Sequence, residues 1–179
     1  MKVITISGHA RNGKDTIAKI LEHQLKMDGH TVLITHYAGL VKYICKEYFG
    51  WDGLKDEKGR NLLQFVGTDV VRKQDPDFWV NFIASILSFF TTSWDYVLIP
   101  DTRFSNEINV LKRKGFDVTH LRVERPNFEN GLTEEQKNHP SETALDDIAP
   151  DYLIKNDGGI IELSDKVKKF LKENIYEHE

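Results

Sequence analysis

Gly8-His9-Ala10-Arg11-Asn12-Gly13-Lys14-Asp15-Thr16 sets two glycines with four residues between them and a lysine directly after the second. Glycines at these places let successive backbone N–H groups turn toward one anion, and a helix starting near Lys14 points its positive end at the same charge. That chemistry suits the phosphates of a nucleoside triphosphate, with Gly8, Arg11, Asn12, Gly13 and Thr16 shaping the loop and Lys14 reaching the β and γ phosphates. The usual pattern has a hydroxyl for Mg²⁺ directly after the lysine; this chain has Asp15 there and Thr16 one place later. Asp15 offers a hard oxygen, which suits Mg²⁺ directly or through water. Arg11 and His9 either reach a phosphate or only solvate the loop.

Further acid and base groups stand at a second predicted strand end. Asp101 follows Tyr96-Val97-Leu98-Ile99-Pro100, where an open parallel sheet presents polar residues to its ligand crevice. It is read as a second holder of Mg²⁺ through water, with a helix cap or an ion pair as the structural alternative. Arg103 binds phosphate or pairs with Asp101 or Glu107. Arg60, Gln64, Thr68 and Arg72 combine two guanidinium forks, which suit a monophosphate, with groups able to hydrogen-bond a base; the alternative is a solvated helical face. Trp79 is the aromatic residue most readily moved from the core into a ligand pocket. Arg122 and Arg125 flank the end of a later strand and, with Arg103, are candidates for clamping a transferred phosphoryl group. His139 and Glu142, three residues apart, either link a polar segment to the site or leave Ser141 to cap the turn after it.

The elements needed to position these groups are legible. Val3 to Ile6 reads as a buried strand, and Thr16 to Met27 as a helix with Ile17, Ile20, Leu21 and Leu25 on one face. Thr31 to Thr35 supplies a second strand. Helices are expected over 38–49, 60–65, 78–90 and 104–114, and strands over 96–99, 117–123 and 152–154. A final amphipathic helix over 160–175 buries Leu163, Val167, Phe170 and Leu171. The rhythm is α/β, with one doubly wound domain over 1–179, an acceptor-binding region at 50–80 and a polar lid at 124–140. Strand order cannot be read from this pattern.

Composition narrows the function classes. The 179 residues carry a formal charge of -4, so no general field attracts a nucleic-acid polymer or an anionic membrane. Cys45 is the only cysteine, which rules out an intrachain disulfide and any site of several thiolates. No zinc site is assigned. The apolar start is too short for a signal peptide, and no run approaches a membrane span; a cytoplasmic location is expected.

Several of these segments together resemble the bacteriophage-type deoxynucleoside monophosphate kinase family. They are Gly13-Lys14-Asp15-Thr16, the stretch from Arg60 to Thr68, Arg72 with Asp77-Phe78-Trp79, Asp101-Thr102-Arg103-Phe104-Ser105-Asn106-Glu107, and His139-Pro140-Ser141-Glu142. The resemblance runs from the first strand to about Asn156. It implies a P-loop, nucleoside-monophosphate-kinase-like three-layer fold with a parallel sheet flanked by helices and a small lid. It also implies transfer of the γ phosphate of ATP to a deoxynucleoside monophosphate. On it, Lys14 maps to donor phosphate binding, Asp15 and Asp101 to the magnesium environment, and Arg60, Gln64, Arg72 and Arg103 to an acceptor or phosphate network. If phage-encoded, the chain would work in the host cytoplasm. Phosphomevalonate kinases look similar around the loop and Asp101-Thr102-Arg103, so another phosphorylated metabolite remains an alternative acceptor. A nucleotide-binding switch without transfer is a further alternative. A homodimer is left open.

Overall fold

The computed structural model describes residues 1–176; the last three residues of the single domain expected over 1–179 lie outside the described residues. In chain order the elements are β1 (Lys2–Ser7), α1 (Lys14–Met27), β2 (Val32–Ile34), α2 (Ala38–Phe49) and α3 (Glu57–Gln64). The last runs on as a π-helical stretch over Phe65–Arg72. Then come α4 (Phe78–Phe89), β3 (Tyr96–Ile99), α5 (Ser105–Arg113), β4 (Asp117–Glu124), α6 (Glu134–Lys137), α7 (Pro140–Thr143), β5 (Tyr152–Lys155) and α8 (Ile160–Asn174).

The five strands form one sheet in the order β2-β3-β1-β4-β5, and every pairing is parallel. Because helices cover both faces, the inner strands are apolar on both sides. Val3, Val97, Ile99 and Val118 face one core, with Val41, Cys45, Trp79, Ile83 and Leu111 from the helical region 38–113. Ile4, Ile6, Leu98, Leu121, Val123 and Ile154 face the other, with Ile17, Leu21 and Leu25 of α1 and Val167, Phe170 and Leu171 of α8. The result is a three-layer α/β fold.

The sequence places β1 beside its chain successor only through a crossover, and the structure inserts β3 between β1 and β2. The chain therefore leaves β1 in one direction by α1 and returns on its other side at β4. This change of direction opens a crevice beyond the carboxyl ends of β1 and β3. The loop after β1 and the Asp101 turn after β3 stand side by side there, with Thr102 N–H donating to Ile6 O at 3.3 Å.

Two boundaries differ from the sequence expectation. The helix expected over 60–65 begins at Glu57, because the Asp56 carboxylate caps it by accepting from Gly59 N–H at 2.8 Å. It also continues to Arg72, where the wider π turn leaves Gly67 O to accept from the Trp79 indole at 2.8 Å. The segment expected to be a polar lid, 124–140, contains α6. There Gln136 is buried and donates to Asn61 Oδ1 of α3 at 3.0 Å. No helix among the described residues is long and apolar enough to cross a membrane.

Candidate functional site

The turn after β1 is set by backbone demands that only certain residues meet. Gly8 has φ 137°, and a Cβ there would fall on the carbonyl of Val123. Gly13 has φ 101° and faces the Asn156 amide, 2.6 Å from where a Cβ would stand. Between them Arg11 adopts φ 63°, a left-handed conformation that is strained for a side-chain-bearing residue. The loop is tied down from the far side: Asn12 Nδ2 donates to Val123 O at 3.2 Å, and Asn156 Nδ2 donates to Asn12 O at 2.9 Å. Thus Asn12 anchors the loop by its side chain, an assignment its spacing alone did not reveal.

Lys14 opens α1 and is buried. Its ammonium donates to Gly8 O at 2.5 Å and His9 O at 2.9 Å. Burial, then the neighbouring Arg103 charge, bring its pKa down to about 8. The loop amide of Ala10 donates to Glu142 Oε2 at 2.9 Å. Asp15 leaves its side chain 77% exposed and meets His36 Nε2 at 3.4 Å; that hydrogen bond holds its carboxyl below the ordinary range. Thr16 is exposed on the first turn of α1.

Across the crevice a cleft of about 480 Å³ opens between α1, α2, α3, the π-helical stretch, the Asp101 turn and the segment around α6 and α7. Lys14, Asp15, Arg60, Gln64, Thr68, Arg72, Trp79, Asp101 and Arg103 all line it, as does Arg11. The fold thus brings together the loop and the residues expected to hold an acceptor. Trp79 is only 3% exposed, so its indole forms a wall fixed from behind by Gly67.

The charged partners differ from several expectations. Asp101 caps α2, its two carboxylate oxygens accepting from Tyr37 N–H at 3.0 Å and Ala38 N–H at 2.8 Å, and each oxygen keeps a further acceptor site. Arg103 pairs through its guanidinium with neither Asp101 nor Glu107. It donates to Ser141 O at 2.6 Å and forms a close ion pair with Glu142. Glu107 instead accepts from the backbone N–H of Arg103 at 2.7 Å and forms the ion pair with Arg72 at 2.6 Å. Burial raises Glu107 to about 7, against the pull of Arg72. Arg72 also donates to Asn106 Oδ1 and Pro76 O, each at 3.1 Å, and lies over the Phe104 ring at 3.8 Å. Its two terminal nitrogens are thereby committed to the protein, while its buried Nε has no hydrogen-bond partner.

Nor does Ser141 cap α7. His139 does, through Nδ1 accepting from Ser141 N–H at 3.2 Å, because His139 and not Ser141 precedes the helix. His139 and Glu142 point to different partners, the former toward Asp69 at 3.9 Å. Arg122 is held by the carbonyls of Leu145, Asp146 and Ile148, which fixes the turn after α7. Arg125 is exposed, lies over the Phe128 ring at 3.8 Å and does not line the cleft.

Sequence spacing missed Lys42, Lys55 and His36, which also line the cleft. It missed the Glu142 contact with the loop and the buried pair behind it, Ser7 Oγ with His120 Nε2 at 2.7 Å. Burial lowers His120 to about 4. The His139-to-Glu142 segment was the sole sequence signal for any of these.

A magnesium ion fits the donor set. Mg²⁺ is bound by one or two carboxylates together with substrate phosphates and water, rather than by an all-protein cage. Asp15 supplies an accessible carboxylate at the lip of the cleft, and Asp101 a second at its back.

The sequence pattern of the family described as deoxynucleotide monophosphate kinase matches residues 54–167. The deoxynucleotide monophosphate kinase of Enterobacteria phage T4 is 36% identical over 115 residues, which cover 63% of this chain and 45% of that protein. That of Escherichia phage RB69 is 32% identical over 115 residues, covering 63% and 44%. The chain therefore spans about half the length of these relatives. Among solved structures, Mycobacterium tuberculosis APS kinase in complex with AMPPNP and APS superposes with a TM-score of 0.57 at 13% identity, over 96% of this chain and 98% of that one. That likeness is one of fold.

Proposed function

The chain belongs to the deoxynucleotide monophosphate kinase family, and from that premise we propose that it transfers the γ phosphate of ATP to a deoxynucleoside monophosphate, giving the diphosphate and ADP. The observation that carries the reading is the single cleft of about 480 Å³ onto which both Lys14 and the wall of Gln64, Thr68 and Trp79 open. A donor phosphate and an acceptor base can occupy one shared cleft, which is what direct transfer requires.

In the reaction an oxygen of the acceptor monophosphate attacks the γ phosphorus in line. The bond from that phosphorus to the bridging oxygen of ATP breaks, and ADP leaves. Phosphoryl transfer asks the protein for positioning and charge neutralisation and needs no covalent nucleophile. Lys14 leaves the carbonyls of Gly8 and His9 for the donor phosphates, and the loop N–H groups hold their oxygens. Arg103, kept in place by Glu142 and Ser141 O, stands at the junction of the two halves. Asp15 and Asp101 would hold magnesium, which neutralises phosphate charge when bound. Arg60, Gln64 and Thr68 orient the acceptor, and Trp79 closes the wall behind it. Arg72 stiffens that wall through Glu107. The segment over 124–140 acts as a lid that excludes water during transfer.

The test is a transfer screen with purified protein, Mg-ATP, separate deoxynucleoside and ribonucleoside monophosphates, phosphomevalonate and an acceptor-free control. Deoxynucleoside diphosphate is the expected product. Product from phosphomevalonate alone, or ATP binding with no transfer, would overturn the assignment.

A further inference from the structure

Carboxylates outnumber lysines and arginines in this chain, 28 to 24, and the other two basic side chains on the far wall of the cleft, Arg72 and Arg103, are each paired with one. Lys42, Lys55 and Arg60 form no ion pair among the described residues, although all three line the same cleft. Their placement is built rather than incidental. Trp51 Nε1 donates to Leu54 O at 2.9 Å, Leu54 N–H to Asp52 Oδ1 at 2.9 Å, and Asp56 caps α3 two residues before Lys58. A Cβ at Gly59 would collide with the Leu54 carbonyl. This folded loop delivers Lys55 to the start of α3, where Arg60 Nε donates to Lys55 O at 3.0 Å. Lys42 comes to the cleft from α2, which packs against α3.

Like charges held together without a counterion repel, and the arrangement persists at a functional site because a ligand neutralises it. Burial and the nearby Lys42 charge lower the pKa of Lys55, and Arg60 and Arg103 add to the effect while Asp15 opposes it. Asp15 in turn feels both Lys14 and Lys55, so the cluster stands next to the donor loop.

The geometry points to Lys42, Lys55 and Arg60 as the grip on the phosphate of the acceptor, a dianionic phosphomonoester. Arg72, bound to Glu107 and Asn106, is left as a support for the wall. The inference rests on the proposed kinase reading for the identity of the acceptor's organic half, while the cluster itself specifies only a phosphomonoester. Arg60 uses Nε on Lys55 O and keeps its two NH₂ groups for a bidentate contact. The two ammonium groups supply further point charge.

Calorimetric titration of the whole chain with each phosphomonoester of the transfer screen, and with the matching unphosphorylated compound, tests this. The Lys42→Gln/Lys55→Gln double variant is expected to lose roughly tenfold or more in affinity for the monophosphate, the scale of a charge-assisted hydrogen bond. Its affinity for the unphosphorylated compound and for a non-hydrolysable ATP analogue should be unchanged. Lys55→Gln alone should show a smaller loss in the same direction, and Lys42→Arg/Lys55→Arg should keep the parent affinity. Monophosphate affinity unchanged in the double variant, or equal loss for the unphosphorylated compound, overturns the inference. Should the parent bind phosphomevalonate and no deoxynucleoside monophosphate, with the glutamines still weakening that binding, the cluster stands and the deoxynucleotide reading falls.

Discussion

The turn from Gly8 to Lys14 and the wall from Lys55 to Arg72 both bring positive charge to one cleft, but they hold it by different means. In the turn, the anion-seeking groups are backbone amides and one lysine within a short contiguous segment. Glycines at φ 137° and φ 101° impose its shape. In the wall, and in Lys42 and Arg103 beside it, charge comes from side chains on separate elements, and the pairing of each decides whether it faces a ligand. Arg72 is taken by Glu107 and Arg103 by Glu142, whereas Lys42, Lys55 and Arg60 keep theirs. A phosphate site made of backbone is fixed by local conformation; one made of side chains is fixed by whatever carboxylates the fold brings near.

The strongest challenge to this contrast is Lys14→Ala. Its charge serves the ligand, so turnover should fall roughly a hundred- to a thousandfold, the loss seen for removal of one transition-state donor. The melting temperature should move little. Near-parent activity in the folded variant would remove the donor loop from the mechanism.

Glu142→Ala probes the point where the two regions meet. It removes the acceptor of Ala10 N–H and leaves Arg103 without its partner. A loss of about 2 kcal/mol is expected, below the range for a fully buried pair because Arg103 is 30% exposed. Transfer should slow as Arg103 swings free. A variant with parent stability and rate would show that the α7 contact organises neither region.

The pH dependence of the donor side follows from the buried state of Lys14. Its pKa lies near 8 in the ligand-free protein, so raising the pH above 8 removes the charge needed for donor binding. kcat/KM for ATP should then fall about tenfold per pH unit. kcat should hold to higher pH, because bound phosphates favour the protonated form. A flat kcat/KM profile between pH 7 and 9.5 would contradict this.

The smallest effect is expected from Arg125→Ala. The side chain is exposed, stacked on Phe128 and away from the cleft, so a rate loss below about fivefold is anticipated, within the range for a surface cation–π contact. A much larger loss of kcat with unchanged stability would mean that the segment over 124–140 carries Arg125 into the cleft during turnover.

What the sequence by itself determined is local. The spacing from Gly8 to Thr16, the preceding apolar strand and the amphipathic α1 specify the donor turn, because left-handed glycines and a helix start are properties of neighbouring residues. The short apolar runs of β1 and β3 and the apolar stripes of α1 and α8 specified an α/β layer structure for the same reason. The joining of α3 to a π-helical stretch was not legible, since it depends on Trp79, twelve residues beyond Gly67, drawing on a freed carbonyl. Strand order and ion-pair partners were likewise decided only in three dimensions. Asp101 could cap or hold metal, and Arg103 could pair with Asp101, Glu107 or phosphate; the fold settled its guanidinium on Glu142 of α7, 39 residues away. Charges act through space and across chain separations that no local pattern encodes, so the cleft wall took its charge pattern from tertiary structure while the turn from Gly8 to Lys14 took its shape from sequence.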